Sequence, residues 1–218
     1  DQIRFQLIPN MLAPEVEVYA PWRDQNLLDA FAGREEMLEY CAANNVPIKP
    51  PKISKYLTDA NLLGLTHEAG ELESLETEAN FVEPGMGVKK VDAQAEPEQV
   101  TIVFSKGLPT SINGKSFGSL FALFEEVNAI AGRHGVGINN HMLENRIVGT
   151  KSRGIYEAPG MELLGSAYHY VLEAILDRRA RRLFDFTSEY YAEQLYYGLG
   201  EDTGSQLAKN LFAQVAEL

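Results

Sequence analysis

Residues His134 to Gly160 read HGVGINNHMLENRIVGTKSRGIYEAPG, and the reading of this stretch governs the rest of the chain. Apolar residues are sparse in it. Glycine recurs at Gly135, Gly137, Gly149, Gly154 and Gly160. Between the glycines stand His134, Glu144, Asn145, Arg146, Lys151, Ser152, Arg153, Tyr156 and Glu157. Glycine admits backbone conformations closed to other residues and lets a ligand approach closely. Charged and hydroxyl side chains held on ordered loops commonly build a polar small-molecule pocket. The stretch is therefore read as glycine-rich loops carrying such a pocket. A solvated surface loop has the same composition, and composition alone does not separate the two.

Regular structure is expected on both sides. Upstream, Gly118 to Gly132 has the spacing of a helix, with Leu120, Leu123, Phe124, Val127 and Ile130 on its apolar face and Gly132 as its C-cap. Before it, Val100 to Phe104 is a β-branched strand, and Asn113-Gly114 marks a tight turn. Downstream, Pro159 suits a helix start, and Leu163, Leu164, Tyr168, Leu172, Ile175 and Leu176 follow at helical spacing. Four arginines from Arg178 to Arg182 are expected near the end of that helix, at its negative pole. Two more helices are expected at about 188–197 and 205–217. Near the start of the chain, Val16 and Val18 alternate with glutamates over 15–21, the period of a strand. Residues 33–45 read as a helix. Pro47, Pro50 and Pro51 then interrupt regular structure and place a domain boundary there. The acidic run from Glu68 to Glu98 reads as a long ordered loop or arm.

The chain has 218 residues and a net charge of −12, which argues against generic binding to nucleic acid or anionic membranes. Its single cysteine, Cys41, excludes an internal disulfide framework and fits a reducing compartment such as the cytoplasm. No apolar run approaches the about 20 residues that span a membrane, and no signal peptide is visible. The four histidines have no zinc-ligand spacing, so no metal site is expected. Ser152 lacks the G-x-S-x-G setting of a nucleophile.

The wording of the chain is more specific than its composition. HGVG, ENR and KSRGIYEAPG, taken with DQIRF at 1–5, APWR at 20–23, TDANLLGLTHEAGELE at 58–73 and EPGMGVKK at 83–90, resemble the argininosuccinate synthase family in order. The resemblance runs from Asp1 to about Tyr197. It implies an α/β ligase. Residues 1–45 would be the end of an adenine nucleotide α-hydrolase-like, doubly wound nucleotide-binding domain. Residues 46–218 would be a synthetase domain of α+β type, with a mixed or antiparallel sheet and a truncated C-terminus. The family uses ATP and magnesium to join citrulline to aspartate. The ureido oxygen attacks the α-phosphate and releases pyrophosphate, and the aspartate amine then displaces AMP. The family's SGG-x-D-T-S pyrophosphate loop is absent from these residues, so the chain by itself is expected to be inactive. A cytoplasmic homotetramer is expected for the whole enzyme.

The resemblance also assigns residues. Arg4 matches a position that contacts citrulline and lies close to ATP, and it is taken as catalytic; a guanidinium suits a carboxylate or phosphate. Asp1 matches the contact to the aspartate amino group. Glu144 and Glu68 match glutamates that hold citrulline. Thr66 and Tyr156 match hydroxyl positions around the same substrate. Asp59 matches a position near ATP, although it also suits the cap of a helix over 61–65. One departure is evident: Leu57 stands where the family has a citrulline-contacting serine. Two other readings stay open, a non-catalytic assembly module and a ligase-like paralogue with a changed amino-acid substrate.

Overall fold

The computed structural model describes residues 2–47, 55–146 and 149–218. It divides into two compact units, Asp1–Ser54 with Ser188–Ala208, and Lys55–Thr187 with Lys209–Leu218.

The larger unit carries the strands described in the chain: β1 Leu57–Ala60, β2 Leu65–Glu68, β3 Ile102–Ser105, β4 Leu108–Ile112, β5 Lys115–Ser116, β6 Ile138–Asn145 and β7 Lys151–Glu157. They form two sheets, one ordered β1-β2-β7-β6 and one ordered β3-β4-β5. Every strand pairing is antiparallel. The glycine-rich stretch is thus not a set of loops but a hairpin of β6 and β7. Its alternation is masked in the sequence because β7 turns charged side chains, Arg153 and Glu157, into the protein. Only Ile155 between them is apolar on that inward face, and a single apolar residue does not reveal the period of a strand.

Those two charges bind backbone. Arg153 donates to the carbonyls of Leu72, Ser74 and Thr77 at 3.4, 2.5 and 2.5 Å. The Glu157 carboxylate accepts the N–H groups of Gly85 and Met86, each at 2.8 Å, and faces His67 Nε2 at 2.5 Å. Leu72, Val82 and Ile155 are buried beside them, with Tyr56, Phe81 and Ile138 packed around. The acidic run is therefore ordered, as expected. It passes over this side of the sheet through short 3-10 turns at Gly70–Glu73, Ala79–Phe81 and Lys90–Asp92.

The second core lies between the small sheet and two helices, α4 Leu120–Arg133 and α5 Pro159–Ile175. Ile112, Leu123, Val127, Ile130 and Leu164 meet there. Fully burying each such side chain contributes about 1.5–3 kcal/mol. Ser119 starts α4 by accepting the Ala122 N–H at 3.2 Å. Gly132 lies within α4, and the cap position is His134. Asn113 and Gly114 both have positive φ, as a tight hairpin turn demands. Asn128 ties α4 to the rest of the unit. Its amide donates to the Leu62 carbonyl at 2.8 Å and accepts the Gly160 N–H at 2.9 Å.

The smaller unit contains α1 Gln2–Leu12, α2 Gln25–Ala30 and α3 Arg34–Ala43. The helices α6 Arg178–Tyr197 and α7 Thr203–Val215 contribute to both units. The strand expected at 15–21 is not formed. No described strand accompanies it in this unit, and an extended run without a neighbour has no ladder to join. Instead Tyr19 donates its hydroxyl to Asp24, whose side chain caps α2 through the Asn26 N–H. The arginine cluster is also placed differently. It opens α6 rather than closing α5, because Asp177 accepts the Ala180 and Arg179 N–H groups and starts a new helix. Those two bonds hold the Asp177 carboxyl below its ordinary range. Among the described residues no helix is long and apolar enough to cross a membrane.

Candidate functional site

The strand β2 alternates cleanly. Leu65 and His67 are buried, while Thr66 and Glu68 are half-buried on the opposite face. Register then decides which other residues join them, because directly opposed residues share a face. Tyr156 of β7 lies opposite Thr66, and Gly154 lies opposite Glu68. One strand further, Glu144 of β6 lies opposite Ser152. On the other side, Asp59 of β1 lies opposite Thr66 and Leu57 opposite Glu68. Thr66, Glu68, Glu144 and Tyr156 thus occupy one face, and Asp59 and Leu57 sit at its edge. A bulge between Asn139 and Met142 re-aims β6 beside this face. Bulges often flank functional sites for that reason.

Charge ties these residues together. The Tyr156 hydroxyl is held above its ordinary pKa by burial first, and then by the negative charges of Glu144 and Glu68; Arg146 opposes the shift. Arg146 donates its Nε–H to Ser152 Oγ at 2.9 Å. The Ser152 hydroxyl in turn donates to Glu144 Oε2 at 3.5 Å, a long bond that restrains the carboxylate only lightly. Hydroxyls that donate and accept, beside two carboxylates, suit a ligand carrying an ammonium group.

The raised Tyr156 value has a testable sign. A tyrosine whose folded pKa exceeds its unfolded value, about 10, stabilises the fold below that value. The contribution is lost as pH rises through the folded value. In an ultraviolet titration, Tyr156→Phe is expected to remove a tyrosine that ionises above about 10. Removal of one that ionises at or below that value would contradict the assignment.

The other expected site residues are placed as follows. Arg4 lies on α1 in the smaller unit, its guanidinium 5.1 Å from the Tyr196 ring centroid. Asp1 lies outside the described residues. Asp59 is a strand residue and caps no helix; over 61–65 the chain turns on Asn61, whose side chain accepts the Leu63 and Gly64 N–H groups. In the sequence Arg146 and Ser152 stand out only as members of the polar stretch, and Gly154 only as one of its glycines, with no individual role. Reading ENR and KSRGIYE as two paired strands would have found them, since 144 and 146 on one strand and 152, 154 and 156 on the other then fall on one face at period two. Among the described residues no group of three or more His, Cys, Asp or Glu is placed to hold a metal ion.

Comparison with known proteins agrees with the wording of the sequence. Residues 56–216 match the family model described as Arginosuccinate synthase C-terminal domain. The chain is similar to "Argininosuccinate synthase" of Rhodopirellula baltica, with 46% identity over 199 residues, or 91% of this chain. The match covers 49% of that relative, so the chain spans about half the length of the curated relative it matches.

Proposed function

This chain belongs to the argininosuccinate synthase family, and from that premise we propose that it supplies the citrulline-binding part of an ATP-dependent carbon–nitrogen ligase. The observation that carries the proposal is the common face of Thr66, Glu68, Glu144 and Tyr156. Glu68 and Glu144 take the substrate's ammonium, and Thr66 and Tyr156 offer hydroxyls to its polar atoms. A carboxylate–ammonium hydrogen bond is stronger than a neutral one, so the two glutamates dominate affinity.

With this reading go ATP and magnesium, aspartate as the second substrate, a citrulline-adenylate as intermediate and a homotetrameric enzyme. The face alone does not fit a triphosphate. Among the described residues it carries the carboxylates of Asp59, Glu68 and Glu144 beside the guanidinium of Arg146, and such a set repels polyphosphate. Arg4 is the residue proposed for the phosphate end, and Asp59 for the edge of the nucleotide. The SGG-x-D-T-S loop is not among these residues. They are expected to bind citrulline without turning it over.

Leu57 supports a narrower second reading, an altered amino-acid substrate. It is half-exposed opposite Glu68, where it adds an apolar contact and no hydroxyl. Calorimetric titration of the 218-residue chain with citrulline tests the main proposal. Saturable binding is expected, and no heat up to high millimolar citrulline would overturn it.

A further inference from the structure

We infer that Gly154 is a positioning residue: its lack of a side chain lets the Tyr156 ring lie back along its own strand, which delivers the hydroxyl to the carboxylates of the shared face. The inference rests on the citrulline reading for its consequence but not for its geometry.

Gly154 sits in β7, an interior strand, where glycine weakens the sheet and needs a reason. Backbone conformation is not the reason, because its φ is not in the left-handed region that favours glycine. Space is. A Cβ built on Gly154 would stand 2.8 Å from Tyr156 Cε2, 3.1 Å from Cζ and 3.2 Å from the hydroxyl oxygen. The ring therefore lies over residue 154 rather than standing up from residue 156. That direction matters. Gly154 is opposite Glu68, and Ser152, the next residue on this face, is opposite Glu144. By leaning toward Gly154, Tyr156 moves its hydroxyl away from Thr66 and toward Glu68 and Glu144. The influence of both glutamates on the hydroxyl is in keeping with this placement.

What a methyl group would displace is the far end of a side chain, not backbone. Gly154→Ala is therefore expected to leave the fold intact and to push the ring aside. Tyr156 ionisation then falls back toward the ordinary tyrosine range. Citrulline binding weakens about threefold to tenfold, the scale of one neutral hydrogen bond. Tyr156→Ala gives a similar loss, and Gly154→Ala adds nothing in the Tyr156→Ala background, where the methyl has room.

The test follows Tyr156 ionisation by NMR of ring-labelled protein, and citrulline affinity by calorimetry, in the wild-type chain, both single variants and the double variant. A lowered Tyr156 midpoint in Gly154→Ala, with non-additive losses of affinity, supports the inference. An unmoved midpoint overturns it whether or not citrulline binds. Equal losses from Gly154→Ala with and without the tyrosine ring also overturn it, since the glycine then acts by another route. If the midpoint falls but neither single variant alters citrulline affinity, the positioning stands and the citrulline reading fails.

Discussion

Glu144→Gln is expected to raise the citrulline dissociation constant roughly ten- to hundredfold. The substitution preserves shape and removes charge. Hydrogen bonds to charged groups contribute about 1.5–3 kcal/mol, and each 1.4 kcal/mol or so is a factor of ten in affinity. The effect should exceed that of Tyr156→Phe, which removes a neutral partner. The fold should survive, because the substitution keeps the side chain's size at a half-buried position. Glu125→Gln, on the exposed side of α4, is the control and should change nothing. Calorimetry reads both. An affinity for Glu144→Gln within twofold of wild type would remove Glu144 from the site.

Glu157→Ala is expected to produce the largest loss of stability among single changes at this sheet. The carboxylate accepts two backbone N–H groups and faces His67, all at depth. Its side chain and that of His67 are 0% and 1% exposed. Each buried polar group left without its partner costs about 1–3 kcal/mol, so losing this acceptor of several groups costs on the order of 3–5 kcal/mol. In a protein of this size that corresponds to roughly 6–20 °C in Tm. The loop at 83–88 should loosen with it, since Gly85 and Met86 lose their acceptor. Thermal unfolding checks this, and a Tm within two degrees of wild type would show that the pair does not anchor the loop.

These two glutamates show how far the sequence could be read. Both stand in the same polar stretch, and composition treats them alike. The family resemblance separated Glu144, as a substrate contact, from the rest. It did not show that Glu157 and Arg153 point the other way and hold backbone. Strand alternation is usually recognised by apolar residues on the inner face, and here charges take two of those positions, on either side of Ile155. The helices α4 and α5 were legible because their apolar faces are wide and Pro159 marks the start of α5. The run at 15–21 had the period of a strand but no described neighbour to pair with in its unit, which no local pattern reveals. The start of α6 depended on a single capping residue, Asp177, hidden among arginines. Gly154 was legible only as one glycine among several. Its meaning comes from the ring that lies over it.

The most direct test of the shared face is a citrulline titration of the 218-residue chain followed by NMR at Thr66 and Tyr156 together. The account predicts that the Thr66 methyl and Tyr156 ring signals shift on one saturation curve, and that Glu144→Gln moves both midpoints to higher concentration by the same factor. Signals that stay still, or that follow separate curves, would contradict it.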